Sequence, residues 1–352
     1  MHVFTPLQQR AVQLRNRIVV SPMCQYSAQA GLPDDWHLVH LGSRAAGGAG
    51  VVFTEATAVV PEGRISPADT GIWNDAQQQA WARIAAFIAA QGAVPAMQLA
   101  HAGRKASTAS PWQGGKALDD GAGGWTPLAP SALAYAADYR LPRALDEAEI
   151  AAIPQQFAAA ARRADAAGFD LVEIHAAHGY LLHQFLSPLS NRRSDGYGGS
   201  FENRTRLLRE VVQATRAAWP QDKPLWLRIS ATDWVAEGWD IEQSIALCRV
   251  LRDEGVDLVD VSSGGLDPRQ QIEVVPGYQV GFAARIRHEA GIATGAVGLI
   301  STAAQAETIL ASAQADVVLL ARELLRDPYF PRRAARELGV APPVPRQYAR
   351  AW

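Results

Sequence analysis

Short apolar runs alternate with longer amphipathic stretches along most of the chain. The apolar runs are Arg17 to Val20, Val51 to Glu55, Val94 to Gln98, Leu171 to Ile174, Leu225 to Ile229, Leu258 to Val261, Ala293 to Val297 and Val317 to Leu320. Their length and richness in Val, Ile and Leu predict buried strands. Between and after them, helical patterns run from His37 to Ala46, Ala76 to Gln91, Glu147 to Ala167, Phe201 to Trp219, Ile241 to Gly255, Gln279 to Ala290, Ser301 to Ala313 and Tyr329 to Leu338. Asp146 with Glu149 three residues on reads as a capping box, and Gly168, Gly255 and Gly291 stand where helices should stop. Eight strands alternating with eight helices predict parallel βα units closed into one α/β domain, a (β/α)8 TIM barrel spanning residues 1–352. A doubly wound open sheet is the alternative that the pattern leaves.

One stretch breaks the rhythm. Residues 103–145, after the third strand, are rich in Gly, Pro, Ser and Ala and predict a long loop insertion, either a lid over the mouth of the barrel or a flexible surface excursion. A hydrophobic share of 48% is enough for a large core, so disorder is not expected. The net charge of −2 provides no broad field for nucleic acid or an anionic membrane, which directs attention to small molecules and self-association. Only Cys24 and Cys248 are present, far apart and without a CxxC pair, so neither a disulfide framework nor an iron–sulfur cluster is expected. No basic leader and no apolar run of membrane-spanning length stands out, and a cytoplasmic protein is the expectation.

Chemistry gathers where the strands should end. Cys24, Glu55, Gln98, His175, Arg228, Ser262, Gly298 and Arg322 lie at or just after the C-terminal ends of successive strands, and a barrel brings those ends to one face. The run His175-Ala176-Ala177-His178-Gly179-Tyr180 places two imidazoles and a phenol together, equipment for polarising a carbonyl-type oxygen and delivering a proton. Zinc ligation and structural hydrogen bonding are the competing readings for the histidines, although no partner ligands appear at standard spacing and no metal is expected. Gly298 and Arg322 bracket an anion site suited to a phosphorylated cofactor, the alternative being that Arg322 pairs with Glu323 or Asp327. Cys24 reads either as a cofactor contact or as a nucleophile, and Cys248 as packing.

These residues carry a resemblance. The segments Ser21-Pro22-Met23-Cys24-Gln25-Tyr26, Glu55-Ala56-Thr57-Ala58, Gln98 to Lys105, His175 to Tyr180, Ser190 to Arg204 and Ala321 to Pro328 together resemble the old yellow enzyme family. The likeness is to its thermophilic-like class of FMN-dependent ene-reductases, close to bacterial NADPH dehydrogenases and xenobiotic reductases. It implies a barrel holding FMN non-covalently, with Ser21, Pro22, Met23, Cys24, Ala58 and Gln98 around the isoalloxazine. Arg228 would lie at its N1 and C2 carbonyl edge, and Gly298, Ala321 and Arg322 at the phosphate. NADPH would deliver hydride to N5, which then passes to the β-carbon of an activated alkene such as an enone, maleimide or nitroalkene. His175 and His178 would hold the substrate oxygen, Tyr180 would give a proton to the α-carbon, and Tyr26 would contact the substrate.

The same resemblance implies that Cys24 tunes the flavin and that residues 341–352 form an arm carrying Arg350 into a neighbouring subunit's site, in a homodimer or a homotetramer. Two departures stand out. Ala321 replaces the glycine usual before the phosphate arginine, and Val297 stands where some xenobiotic reductases carry tryptophan. The rival readings are a dienoyl-CoA reductase or amine dehydrogenase, disfavoured by the missing cysteines, a non-catalytic flavin-binding barrel, and a phosphate-binding isomerase without flavin.

Overall fold

The computed structural model describes residues 1–341 and 343–352. Eight parallel strands close into a barrel: β1 (Ile18–Val20), β2 (Val51–Ala58), β3 (Val94–Ala100), β4 (Leu171–Ala176), β5 (Leu225–Ser230), β6 (Leu258–Ser262), β7 (Ala293–Ala296) and β8 (Val317–Leu320). They neighbour one another in sequence order, and β8 pairs with β1 to complete the ring. The principal helices are α1 (Asp35–Ala46), α2 (Asp75–Ala90), α3 (Glu147–Ala166), α4 (Phe201–Ala218), α5 (Ile241–Asp253), α6 (Val280–Ala290), α7 (Ala303–Ala311) and α8 (Phe330–Glu337). The closed barrel expected from the apolar rhythm is the fold, and the doubly wound alternative is excluded.

The signals at helix ends have physical form. The Asp146 carboxylate accepts from the Glu149 amide, and Glu149 accepts in turn from the Asp146 amide. Gly168, Gly255 and Gly291 all adopt positive φ just past their helices.

Strands β2 to β6 run further than their apolar runs. His175 was expected just after β4 but lies within it, because the polar residues at the strand ends face the barrel interior and still pair with neighbouring strands. The alternation is regular. On β4, Val172, Ile174 and Ala176 join the outer core under the helices, while Leu171, Glu173 and His175 face inward. The same period sends Trp226, Arg228 and Ser230 inward from β5, and Leu258, Asp260 and Ser262 inward from β6.

The barrel interior is therefore layered. Its lower part is an apolar plug that includes Val19, Phe53, Ala96, Leu171, Trp226, Leu258 and Leu319. Phe53 and Trp226 meet there at 5.6 Å between ring centroids, and burying a side chain such as Phe53 stabilises the fold by about 1.5–3 kcal/mol. A hairpin that the sequence pattern did not predict, Leu7–Gln9 with Val12–Leu14, packs Leu7, Val12 and Leu14 against this plug. Above the plug lie the charged Glu173, Arg228 and Asp260, with His175 in register with Arg228.

The insertion at 103–145 is loop rather than domain. It contains short 3-10 turns, and its Leu128–Ala129 segment pairs in parallel with Arg143–Ala144. A six-residue helix, Leu181–Leu186, also unforeseen, follows Tyr180 directly.

Candidate active site

The mouth of the barrel is organised around one turn. His178 has φ 59° and Gly179 φ 73°, so the chain leaves β4 through two consecutive left-handed residues. For a non-glycine residue this conformation is costly and persists only where the surroundings impose it. Side chains from other segments supply the constraint. The His178 amide donates to Ser230 Oγ at 2.9 Å, and the Lys105 ammonium donates to the His178 carbonyl at 2.9 Å. The Gly179 amide donates to His183 Nδ1 at 2.9 Å, while Gln184 Nε2 donates to the Gly179 carbonyl at 2.7 Å. His183 is itself held by Asp233 at 2.9 Å, both fully buried.

This turn presents three rings to one another. The His175 ring stands edge-on to those of His178 and Tyr180, with centroids 5.1 and 5.0 Å apart. His175 Nδ1 accepts from the Ala177 amide at 3.3 Å, which leaves Nε2–H as the free donor. Both imidazoles are held well below the ordinary histidine range, first by burial and then by the nearby positive charge of Arg228. They are neutral donors. Burial raises the Tyr180 phenol well above its usual value, with Cys24, Tyr26 and Asp69 adding to the effect, so it keeps its proton.

On the β1 side, burial raises the Cys24 thiol, followed by the fields of Asp69 and Glu55. Such a thiol is neutral, which suits contact better than nucleophilic attack. The loop carrying it is fixed by Glu55, whose carboxylate accepts from the Gln25 amide at 3.0 Å and meets His37 Nε2 at 3.0 Å. Tyr26, at φ 49°, packs edge-on against Trp112 of the insertion.

Around the ends of β5 to β8 a cavity of about 250 Å³ is lined by Arg228, Ser262, Gly298, Ala321 and Arg322, among others. The expected phosphate residues thus meet in one space with Arg228. The expected alternative for Arg322 fails: Glu323 pairs with Arg326, and Asp327 with Arg333. Ser21 is buried beside β8, its amide bonded to the Leu320 carbonyl, and Ala58 and Gln98 lie on the paired strands β2 and β3. The donor set fits a flavin mononucleotide: a guanidinium and the β8-end amides for a phosphate, and a second, buried guanidinium for an electron-rich ring edge. Arg350 is not in this site. It borders a separate cavity with Arg332, Arg336 and Trp352, and Pro342 of the C-terminal arm lies outside the described residues.

The model of the NADH:flavin oxidoreductase / NADH oxidase family matches residues 2–340. The chain belongs to that family. It is 47% identical to an NADPH dehydrogenase of Bacillus licheniformis, over 99% of this chain and 98% of the relative. It is 48% identical to one of Bacillus pumilus, over 99% of both. Among solved structures, morphinone reductase superposes with a TM-score of 0.80 at 30% identity, covering 96% of this chain and 90% of that one. A 2-naphthoyl-CoA reductase complex gives 0.87 at 25% identity, and there the chain spans about half (52%) of the other protein's length. The protein is accordingly a flavin-dependent oxidoreductase of the old yellow enzyme type, with FMN as its cofactor.

Several residues of this site were not singled out in the sequence. Lys105 stands out only as part of the Gln98 to Lys105 segment, and nothing in the sequence marks Ser230, His183, Asp233, Glu173 or Asp260, because their roles depend on contacts between distant segments.

Proposed function

We propose that this enzyme is an NADPH-dependent ene-reductase that reduces the C=C bond of alkenes activated by a carbonyl or nitro group, including enones, maleimides and nitroalkenes. The observation that carries the reading is the placement of the His175 ring within about 5 Å of both the His178 and the Tyr180 rings at the barrel mouth, with burial keeping all three groups neutral. The NADPH dehydrogenases that align over the full chain support NADPH as the hydride source.

Ser21, Pro22, Met23, Cys24, Ala58, Gln98 and Arg228 would hold the FMN ring, and Gly298, Ala321 and Arg322 its phosphate. Bound there, FMN would supply a reversible hydride carrier between the nicotinamide of NADPH and the β-carbon of the alkene. His175 and His178 donate hydrogen bonds to the substrate oxygen, which lowers electron density at the β-carbon. Tyr180 delivers its proton to the α-carbon. Arg228 stabilises negative charge at the edge it faces, and Tyr26 positions the substrate. The 103–145 loop closes over the site, the partner subunit's Arg350 completes it in a homodimer or tetramer, and the enzyme works in the cytoplasm. Among the described residues no helix is long and apolar enough to cross a membrane, which is consistent with that location.

The test is an anaerobic visible spectrum of the purified protein, followed by NADPH and then 2-cyclohexenone. Flavin bands that bleach with NADPH and return with the enone support the whole sequence. Bleaching without return removes the alkene step and favours a flavoprotein with a different acceptor.

A further inference from the structure

β4, β5 and β6 turn Glu173, Arg228 and Asp260 inward as one charged layer, in which Arg228 stands in register with both His175 and Asp260 and Glu173 lies two residues before His175. Glu173 and Asp260 are fully buried, and Arg228 is nearly so. Arg228 Nε stands 3.0 Å from an Asp260 oxygen. The pair is close but not aligned as a hydrogen bond: among the described residues, Arg228 Nε and both Asp260 oxygens lack hydrogen-bond partners. Glu173 Oε1 accepts from Gln98 Nε2 at 2.8 Å, and Oε2 has no partner.

The charges in this layer do not balance. Two carboxylates face one guanidinium, and Gln98 is neutral. The layer below is apolar, with Leu171, Trp226 and Leu258. Toward the barrel mouth, His175 and His178 are held neutral, and the Lys105 ammonium is committed to the carbonyls of His178 and Gly265. A buried carboxylate without a counter-charge is relieved by binding a proton. Both carboxyls are indeed raised above their ordinary range, by burial first, with Asp260 repelling the charge of Glu173 and Arg228 opposing the shift in each. They titrate as a pair rather than as two separate residues. Arg228 links the pair to the cavity, since it lines that cavity while lying against Asp260.

We propose that Glu173 and Asp260 form a redox-linked proton site that takes up a solvent proton when the bound flavin receives a hydride, and releases it when the hydride leaves. The proposal rests on the reading that places the flavin edge against Arg228. The balance is simple. The C–H bond of the nicotinamide breaks, both its electrons and its hydrogen pass to the flavin, and the nicotinamide becomes cationic. That transfer neither consumes nor releases a proton. The flavin gains one negative charge beside Arg228, which weakens the hold of Arg228 on the carboxylates, and a carboxylate oxygen forms an O–H bond with a proton from water. Glu173 and Asp260 act through Arg228 and are positioning residues.

The test uses the FMN-loaded enzyme, reduced anaerobically with one equivalent of NADPH in lightly buffered solution containing a pH-indicator dye, over a series of starting pH values. Since hydride transfer is proton-neutral, uptake comes either from protein groups or from N1 of the reduced flavin, and the carboxylate variants tell the two apart. The wild type is expected to take up as much as one proton per flavin in the pH range where the pair titrates, and Asp260→Asn and Glu173→Gln are each expected to abolish that uptake. Glu173→Gln keeps the Gln98 contact and serves if the other variant does not fold. No uptake across the series although the flavin bleaches, or uptake unchanged in the variants, overturns the proposal. A flavin that fails to bleach overturns instead the donor reading on which it rests.

Discussion

His178 Nε2 lies 2.7 Å from Ser262 Oγ at the end of β6. Ser262 has one hydrogen to give. Its other acceptor neighbour, Gln279 Oε1, is at 3.4 Å, far longer than the 2.7 Å to the imidazole nitrogen, and takes a shorter bond from Ser263 at 2.6 Å. We assign the hydrogen to the nearer acceptor, His178 Nε2, which leaves Nδ1–H as the donor of that ring. His175 shows the opposite arrangement, with Nδ1 accepting from the Ala177 amide and Nε2–H free. Ser262→Ala removes the partner that selects the His178 tautomer. A net loss of about 1 kcal/mol is expected, roughly a fivefold rise in KM for the enone, with the NADPH half-reaction unchanged. Ser262→Thr should restore it. Steady-state and half-reaction kinetics together check the split.

Tyr180 adjoins the same ring cluster, and its raised phenol makes it an acid held in reserve rather than a base. Tyr180→Phe keeps the ring and removes the proton. Stopped-flow rates of flavin reoxidation by an enone are expected to fall by about 10²–10⁴-fold, the usual contribution of a positioned general acid. Reduction by NADPH should be unaffected. An unchanged reoxidation rate would assign the proton to another group.

Much of this was legible in the chain, and the reason is local. The apolar runs marked the eight strands, and the residues ending them marked the face where chemistry collects, because a parallel barrel leaves little freedom in where strand ends point. What stayed hidden was carried by contacts between distant positions. The bond between His178 and Ser262 spans 84 residues, and that between Lys105 and the Gly265 carbonyl spans 160. Glu173 and Asp260 were hidden for a different reason: each sits inside an apolar run that reads as core, and only the period-two alternation of a closed barrel turns them inward. The hairpin that packs against the interior plug is too short to show a pattern of its own.

Gly179 fixes the direction of the catalytic turn. It combines φ 73° with a close approach: a Cβ there would lie 2.2 Å from the Gly265 carbonyl oxygen and 2.8 Å from the Leu266 Cα. Both are backbone atoms and cannot swing away. Gly179→Ala is therefore expected to cost well over 1 kcal/mol, lowering Tm by several degrees, and to raise the enone KM by displacing His178. Gly168→Ala is the control. It shares the positive φ, at 86°, but meets nothing within 4 Å, so it should lose about 1 kcal/mol of stability while leaving alkene kinetics intact. Thermal denaturation and steady-state kinetics on the two variants separate backbone strain from disruption of the site.

The pH dependence of alkene reduction follows from the same burial. Both His175 and His178 are depressed well below 6.5, by desolvation first and by Arg228 second. A lowered value means that the neutral form persists as acid is added, so neither imidazole takes up a proton where a solvent-exposed histidine would. Tyr180, raised above 10, does not ionise on the alkaline side either. Hence neither imidazole should put an inflection between about pH 8 and about pH 6, the interval in which an ordinary histidine changes charge, and in the Glu173→Gln variant, where the redox-linked proton site is removed, the rate of flavin reoxidation by an enone should be flat there. Single-turnover measurements across that interval check it. An inflection near 6.5 that vanishes in His178→Gln would mean that this imidazole charges in the working enzyme, and that activation of the substrate oxygen relies on a cation rather than on two neutral N–H donors.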